Sequence, residues 1–330
     1  MSKKLIGIIL GAGAIIAIGL GIFLSFKSKE IKSHMQQTLN EKFETFVKES
    51  GFISEWEPFS CGGLISIRCY SPKIVIASDN ESAFVLKNTG FDIDSMDNTS
   101  LQLSLNIKEL QFKVENLDET DTNTMESLAL LSHFIPNKIN CNVSLKQNEN
   151  KLFENFQCAF TANNADYQMQ GNDAYQHESF TTQNIAQILE SFYFDFFLSE
   201  DNFTNQYKYA LEKVLFKVKE NGFSKDMYKF YELQSKAQGT TANEEGFRQY
   251  AQNTSILMKI ATSFILGKTY DNEIISLGDA LESFILGDSK EIGFSFQRKQ
   301  GKEEEFVLFE ELDYYSPYFR DNFTFEIISH

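Results

Sequence analysis

Basic residues are in the minority in this chain of 330 residues: 30 Lys and Arg stand against 46 Asp and Glu, a net charge of −16. A surface of that sign repels phosphate backbones, which excludes nucleic acid as a partner and disfavours lying flat on anionic lipid. Histidine is scarce as well. His34, His133, His177 and His330 form no H-x-x-x-H or H-E-x-x-H arrangement, so a zinc-protease site has no support. G-x-S-x-G, the phosphate loop and G-x-G-x-x-G are all missing, which removes the hydrolase elbow and two common nucleotide cradles. Without a C-x-x-C pair, structural zinc is unsupported too. Only four prolines, many Asn, Lys and Ile, and 32 Phe suggest an AT-rich bacterial genome. No catalytic residue, metal or cofactor is expected from these patterns.

Charge is also lacking from Leu5 to Phe26, where Ile, Leu, Gly and Ala fill almost every position. At about 1.5 Å rise per residue such a run crosses the roughly 30 Å hydrocarbon core of a bilayer. A cleavable signal peptide has an apolar core of about 7–15 residues and a small-residue cleavage site. This run is longer and ends in Leu24-Ser25-Phe26-Lys27, so it predicts a retained single-pass anchor over 5–26 behind a cytoplasmic tail, 1–4. Gly7, Gly11, Gly13, Ala17 and Gly21 make small-x-x-x-small patterns that would let two such helices meet as a homodimer. Lysines flank the run on both sides (Lys3 and Lys4 before, Lys27, Lys29 and Lys32 after), so the positive-inside rule hardly orients it.

The four cysteines orient it instead. They fall into close pairs, Cys61 with Cys69 and Cys141 with Cys158. Residues 139–146 and 151–161 read as strands around the polar stretch 147–150, and a hairpin turning at Glu149-Asn150 sets Cys141 opposite Cys158. Directly opposed residues have Cβ atoms about 4.5–5.5 Å apart, within modest adjustment of bonding distance. Four free thiols are the alternative. Disulfides imply an oxidising compartment, which for a bacterium places the bulk of the chain in the periplasm, anchored in the inner membrane.

Beyond the anchor, Ile31, Met35, Leu39, Phe43, Phe46 and Val47 recur at spacings of four and three, an amphipathic juxtamembrane helix within 27–50. Residues 51–178 read as a β-rich region. Lys73–Ala77 and Ala83–Lys87 flank a turn; Leu101, Leu103, Leu105 and Ile107 alternate cleanly. The alternation resumes at Leu110, Phe112 and Val114 on the other parity, so a bulge or tight turn is expected near Lys108-Glu109. A short helix is expected over Thr124–Phe134. Residues 179–290 read as helical, with helices from Thr181, over Thr204–Glu220, Ser224–Gln234, Phe247–Leu266 and Leu277–Leu286. Residues 291–330 return to strands. The fold class expected is therefore α+β: an N-terminal transmembrane helix, then antiparallel strands enclosing a helical middle section.

Weaker candidates remain. Asp92-Ile93-Asp94 is similar to metal-nucleotide D-x-D pairs, but in an Asp-rich chain such a pair is usually a loop or strand end. Asn202 heads Asn202-Phe203-Thr204, a glycosylation sequon with an acid two positions upstream. The acidic stretch Glu303–Asp313 reads as a solvated face. Most phenylalanines follow strand or helix periodicity and read as core, while some strands could line an apolar groove for an acyl chain.

The anchor, the juxtamembrane helix and then Phe59-Ser60-Cys61-Gly62-Gly63-Leu64-Ile65-Ser66-Ile67 resemble the start of YdgA-like proteins, bacterial envelope proteins anchored in the inner membrane. The likeness spans about the first eighty residues; the cysteines depart from the family's pattern, and the family brings no settled activity. Together these readings predict a non-enzymatic, membrane-tethered envelope protein that binds a lipid or a protein partner. A pilin-like or secretion-system subunit is the alternative, weakened by the lack of a Glu near the start of the apolar run. An enzyme with dispersed carboxylates is the other.

Overall fold

The computed structural model describes residues 31–330 apart from 51–52, 64–65, 80–81, 115–121, 199–205, 267–269, 303 and 309–315. The tail 1–4, the anchor 5–26, its small residues Gly7, Gly11, Gly13, Ala17 and Gly21, and Asn202 lie outside the described residues. Among the described residues no helix is long and apolar enough to cross a membrane.

The first described element is helix α1, Ile31–Ser50. Its apolar stripe does pack inward: Leu39 and Phe43 are fully buried, and the Phe43 ring meets Trp56 and Phe59 edge-on at 4.9 and 5.1 Å. Asn40 clamps the chain there, donating to the Phe59 carbonyl at 3.0 Å and accepting its N–H at 2.7 Å. Burying two such side chains contributes roughly 1.5–3 kcal/mol each.

Among the described residues twelve strands then form one antiparallel sheet. Strands β1 (Ile53–Trp56) and β2 (Ser60–Gly62) pair with β3 (Ile67–Asp79). From β3 the path runs through β4 (Ser82–Met96), β5 (Ser100–Val114), β6 (Lys138–Asn148), β7 (Lys151–Thr161), β8 (Ala165–Gln176), β9 (Lys208–Glu220), β10 (Glu291–Arg298) and β12 (Phe323–Ser329). Strand β11 (Val307–Leu308) pairs with β9. Tight turns set the register. Asp97, for example, accepts from Ser100 Oγ at 2.7 Å and from the Thr99 N–H at 2.7 Å, which holds its carboxyl down to about 2.

The expected arrangement of strands around a helical middle is overturned here. Thr204–Glu220 was expected as a helix, but Lys208–Glu220 is strand β9, paired along its length with β8 and with β10. Its Leu211 and Leu215 fit a helical stripe, yet Val214, Phe216 and Val218 alternate with Lys213, Lys217 and Lys219 at period two. Neighbours on both sides decide for the strand. Because β9 bridges β8 to β10, the C-terminal strands extend the first sheet, and the helices are insertions laid on it.

Those helices are α2 (Thr122–Leu131), α3 (Ile185–Leu198), α4 (Phe223–Ala237), α5 (Glu244–Leu266), α6 (Asp271–Leu286) and α7 (Ser316–Asn322). Helix α4 starts directly after Gly222, whose φ is 108°, one residue ahead of the expected start at Ser224. Among the described residues three hydrophobic clusters result, the smallest gathering Phe247, Ala251 and Ile285 between helices, and the two larger ones lying on the sheet. One joins α1 and α3 to β1–β7 through Leu39, Phe43, Leu103 and Ile188; the other packs Tyr270, Leu277 and Phe284 of the α6 region on Phe296 and Phe325.

The change of parity expected near Lys108-Glu109 is real, yet it is neither a hairpin nor a slipped register. Strand β5 runs straight through, pairing Ile107 with Thr89 and Glu109 with Lys87. The switch is shared: β3 buries Cys69 before it and Ile74 after it, and β4 buries Phe91 and then Leu86. Pro72, Asn88 and Lys108 mark it on three adjacent strands, and Asn88 adopts φ 47°. Asn enters this left-handed region more readily than other non-glycine residues.

Candidate functional site

The side chains with the least ordinary surroundings lie on the helix-bearing face of β6–β9. The β6–β7 hairpin turns at Glu149-Asn150, with Glu149 at φ 55°, and places Cys141 directly opposite Cys158. The two sulfurs are bonded, with Cα atoms 4.0 Å apart. Cys61 and Cys69, also directly opposite, form the second disulfide with Cα atoms 4.1 Å apart. Both expected pairings are therefore present.

Row by row across this face, Cys141–Cys158 continues to Met169, Phe216 and Phe294, and Val143 continues to Phe156, Gly171 and Val214. Val143 packs with the first hydrophobic cluster, and Val214, Phe216 and Phe294 pack with the second. Among the described residues Phe156, Phe160 and Met169, half-buried, join neither. The Phe156 ring lies directly over Gly171, in the space a Cβ there would fill. The result is an apolar strip between two packed regions.

Two residues further along the same strands the strip ends in acid. Glu154 of β7 and Asp173 of β8 are opposite each other, and the next inward pair is Tyr175 of β8 with Tyr209 of β9. The Tyr175 hydroxyl donates to Asp173 Oδ2 at 3.4 Å, and its ring lies 5.5 Å from Tyr209 and 4.9 Å from Phe192 of α3. Burial pushes the Asp173 carboxyl up to about 8, with the charge of Glu154 adding to it. Burial also raises Glu154, and it raises the Tyr175 phenol well above its ordinary value. A carboxyl kept neutral by its surroundings offers an O–H donor at pH 7, where an ordinary carboxylate only accepts. The strip and its polar end thus suit a ligand with a long apolar part and a hydrogen-bonding head.

A signal for this pair was present in the sequence. Glu154 shares its parity with Phe156, Cys158 and Phe160, and Asp173 shares its own with Tyr167, Met169 and Tyr175. An acid at a core-facing strand position is costly to bury and marks a place worth scrutiny.

Other candidates are occupied structurally. Asp92 accepts from Tyr70 Oη at 3.0 Å and Asp94 from Ser104 Oγ at 3.2 Å, both on the opposite face. His133 contacts Asp226 at 2.8 Å, which Asn164 also reaches at 3.2 Å, while His177 bonds Ser179 and stacks on Tyr207 at 4.5 Å. Glu304 of the acidic stretch pairs with Lys151 at 3.0 Å. Among the described residues no group of three or more His, Cys, Asp or Glu could hold a metal ion. No family model matches this chain, and no curated protein matches it either, so the resemblance to YdgA-like proteins rests on its sequence motif alone.

Proposed function

We propose that this chain is a binding protein of the cell envelope, held at a membrane by the apolar run 5–26, whose outer domain receives an apolar chain along Phe156, Phe160 and Met169. The observation that carries this reading is the strip itself. Apolar side chains on the helix-bearing face of a sheet are normally closed over, whereas these three stay half-buried between two closed clusters. Glu154 and Asp173, at the end of the strip, would hydrogen-bond a polar head. The disulfides support an oxidising compartment, the periplasm in a bacterium. Binding is favoured over catalysis because His133 and His177, which could serve as bases, are engaged in structural contacts.

Lipid extraction of the purified full-length chain, with mass spectrometry of what co-purifies, tests this together with titration by a fluorescent fatty acid. An acyl lipid should be recovered, and Met169→Gln with Phe160→Ser should weaken fatty-acid binding at least tenfold. Recovery of no lipid and no fatty-acid binding would refute the reading.

A further inference from the structure

The opposite face of the same sheet has a composition of its own. Ser104 of β5, Asn142 of β6, Gln157 of β7 and Gln170 of β8 stand side by side in one row. The rows on either side are uncharged as well, and amide pairs cross the strands within them: Asn140 donates to Asn106 at 2.6 Å, and Asn155 to Asn172 at 2.7 Å. Within the central row Ser104 donates to Asn142 at 2.8 Å. At about 4.8 Å between strands and 6.8 Å between same-face residues, four strands and three rows make a panel about 15 Å on a side.

Charge lies at the rim: Asp92 and Arg68 extend the central row on one side, where Asp94 also reaches Ser104 at 3.2 Å, and Lys213 flanks the panel on the other. In a chain that is 23% charged, a solvated sheet face of this size would ordinarily carry several Lys and Glu. Keeping it neutral needs another reason than solubility, which charge serves better.

We infer that this panel is a docking surface for a neutral polysaccharide. Each amide and hydroxyl presents a donor and an acceptor, the same pairing that sugar hydroxyls present. The cross-strand hydrogen bonds hold the amides in place before any ligand arrives, so little side-chain freedom is lost on binding. A polyanion is disfavoured by the net charge of −16. Among the described residues the twelve panel positions carry no carboxylate for a cationic partner and no large apolar side chain for an apolar one. Tyr70, whose hydroxyl lies between Asp92 Oδ1 at 3.0 Å and Asn106 Nδ2 at 3.5 Å, adds an aromatic edge against which a sugar ring can rest.

Isothermal titration of the full-length chain with oligomers of N-acetylglucosamine and of cellobiose, with polygalacturonate as the anionic control, tests the inference. A neutral oligomer should bind and the polyanion should not. Asn142→Asp combined with Gln157→Glu changes charge but not shape at exposed positions, and should weaken glycan binding at least tenfold while fatty-acid binding on the other face stays unchanged. Circular dichroism of the variant confirms its fold. No binding of either neutral oligomer, equal binding by the variant, or self-association of the chain through this panel would each overturn the inference.

Discussion

Replacing Asp173 by Asn should make the fold less sensitive to pH and more stable in mild base. The Asp173 carboxyl moves from 3.8 to about 8 on folding, first through burial and then through the charge of Glu154 opposite. An acid with a raised folded-state pKa holds its proton more tightly in the folded chain than in the unfolded one. The stability tied to that proton is fully present below about pH 4 and is lost progressively as pH rises through about 8. At 1.36 kcal/mol per pKa unit, the whole displacement corresponds to about 6 kcal/mol. That figure is a ceiling. Asp173 is half-buried, so solvent screens part of the effect, and Glu154 shares in the same titration. A loss of roughly 1–3 kcal/mol between pH 5.5 and 8.5 is the working expectation. Asn preserves the shape and cannot ionise. Urea unfolding can be followed through the sole tryptophan, Trp56, which packs on Phe43 far along the sheet and so reports global loss of structure. The midpoint for the wild-type chain should fall from pH 5.5 to 8.5, and the variant's midpoint should fall distinctly less. Equal pH dependence in the two proteins, or a variant less stable than wild type at pH 8.5, would refute the reasoning.

Two further perturbations test the framework that positions the site. Converting Cys141 and Cys158 together to Ser removes the bond across the β6–β7 hairpin and should cost about 2–5 kcal/mol in chemical denaturation, with a non-reducing peptide map showing the Cys61–Cys69 link intact. At Asn88, where φ is 47°, Val should destabilise by about 1–2 kcal/mol, whereas Gly should stay within about 1 kcal/mol of wild type, as read from thermal melts.

The hairpins were legible because their signals are local. Alternation in 139–146 and 151–161, the turn at Glu149-Asn150 and the spacing of the cysteines all agree, and the structure pairs Cys141 with Cys158 at that register. Helix α1 was legible for the same reason, since Leu39 and Phe43 carry its stripe. Strand β9 was not. In Lys208–Glu220 leucines at helical spacing compete with a Val–Phe–Val alternation, and only the flanking β8 and β10, remote in sequence on one side, resolve the contest. That single element changes the architecture from strands around helices to one sheet with helices on it. The parity switch at Lys108 was visible on one strand, but its nature was not, because the matching switches at Pro72 and Asn88 are interpretable only once the strands are paired.

The site follows from the same geometry at a finer scale. Glu154, Asp173 and Arg298 interrupt the apolar inward face between β7 and β10, and all three lie near the place where the β8–β9 ladder skips a residue. There Asn172 pairs with Lys213 and Asp173 with Leu211, which leaves Glu212 as the extra residue of a bulge. Arg298, almost wholly buried, donates to Glu212 at 2.8 Å and to the Leu211 carbonyl, and its guanidinium lies 5.3 Å from the Phe323 ring. A bulge re-aims side chains and breaks the regular packing on which a closed core depends. Removing it should therefore close the strip as well as realign the ladder. Deleting Glu212 restores two-residue alternation between Leu211 and Lys213 and breaks the ion pair that the buried Arg298 makes with it, a loss of up to about 3–5 kcal/mol. Deleting Glu212 together with Arg298→Met removes that charge as well. If the bulge holds the strip open, this double variant should fold and lose fatty-acid binding; a folded double variant that binds as tightly as wild type would show that the bulge has no part in the site.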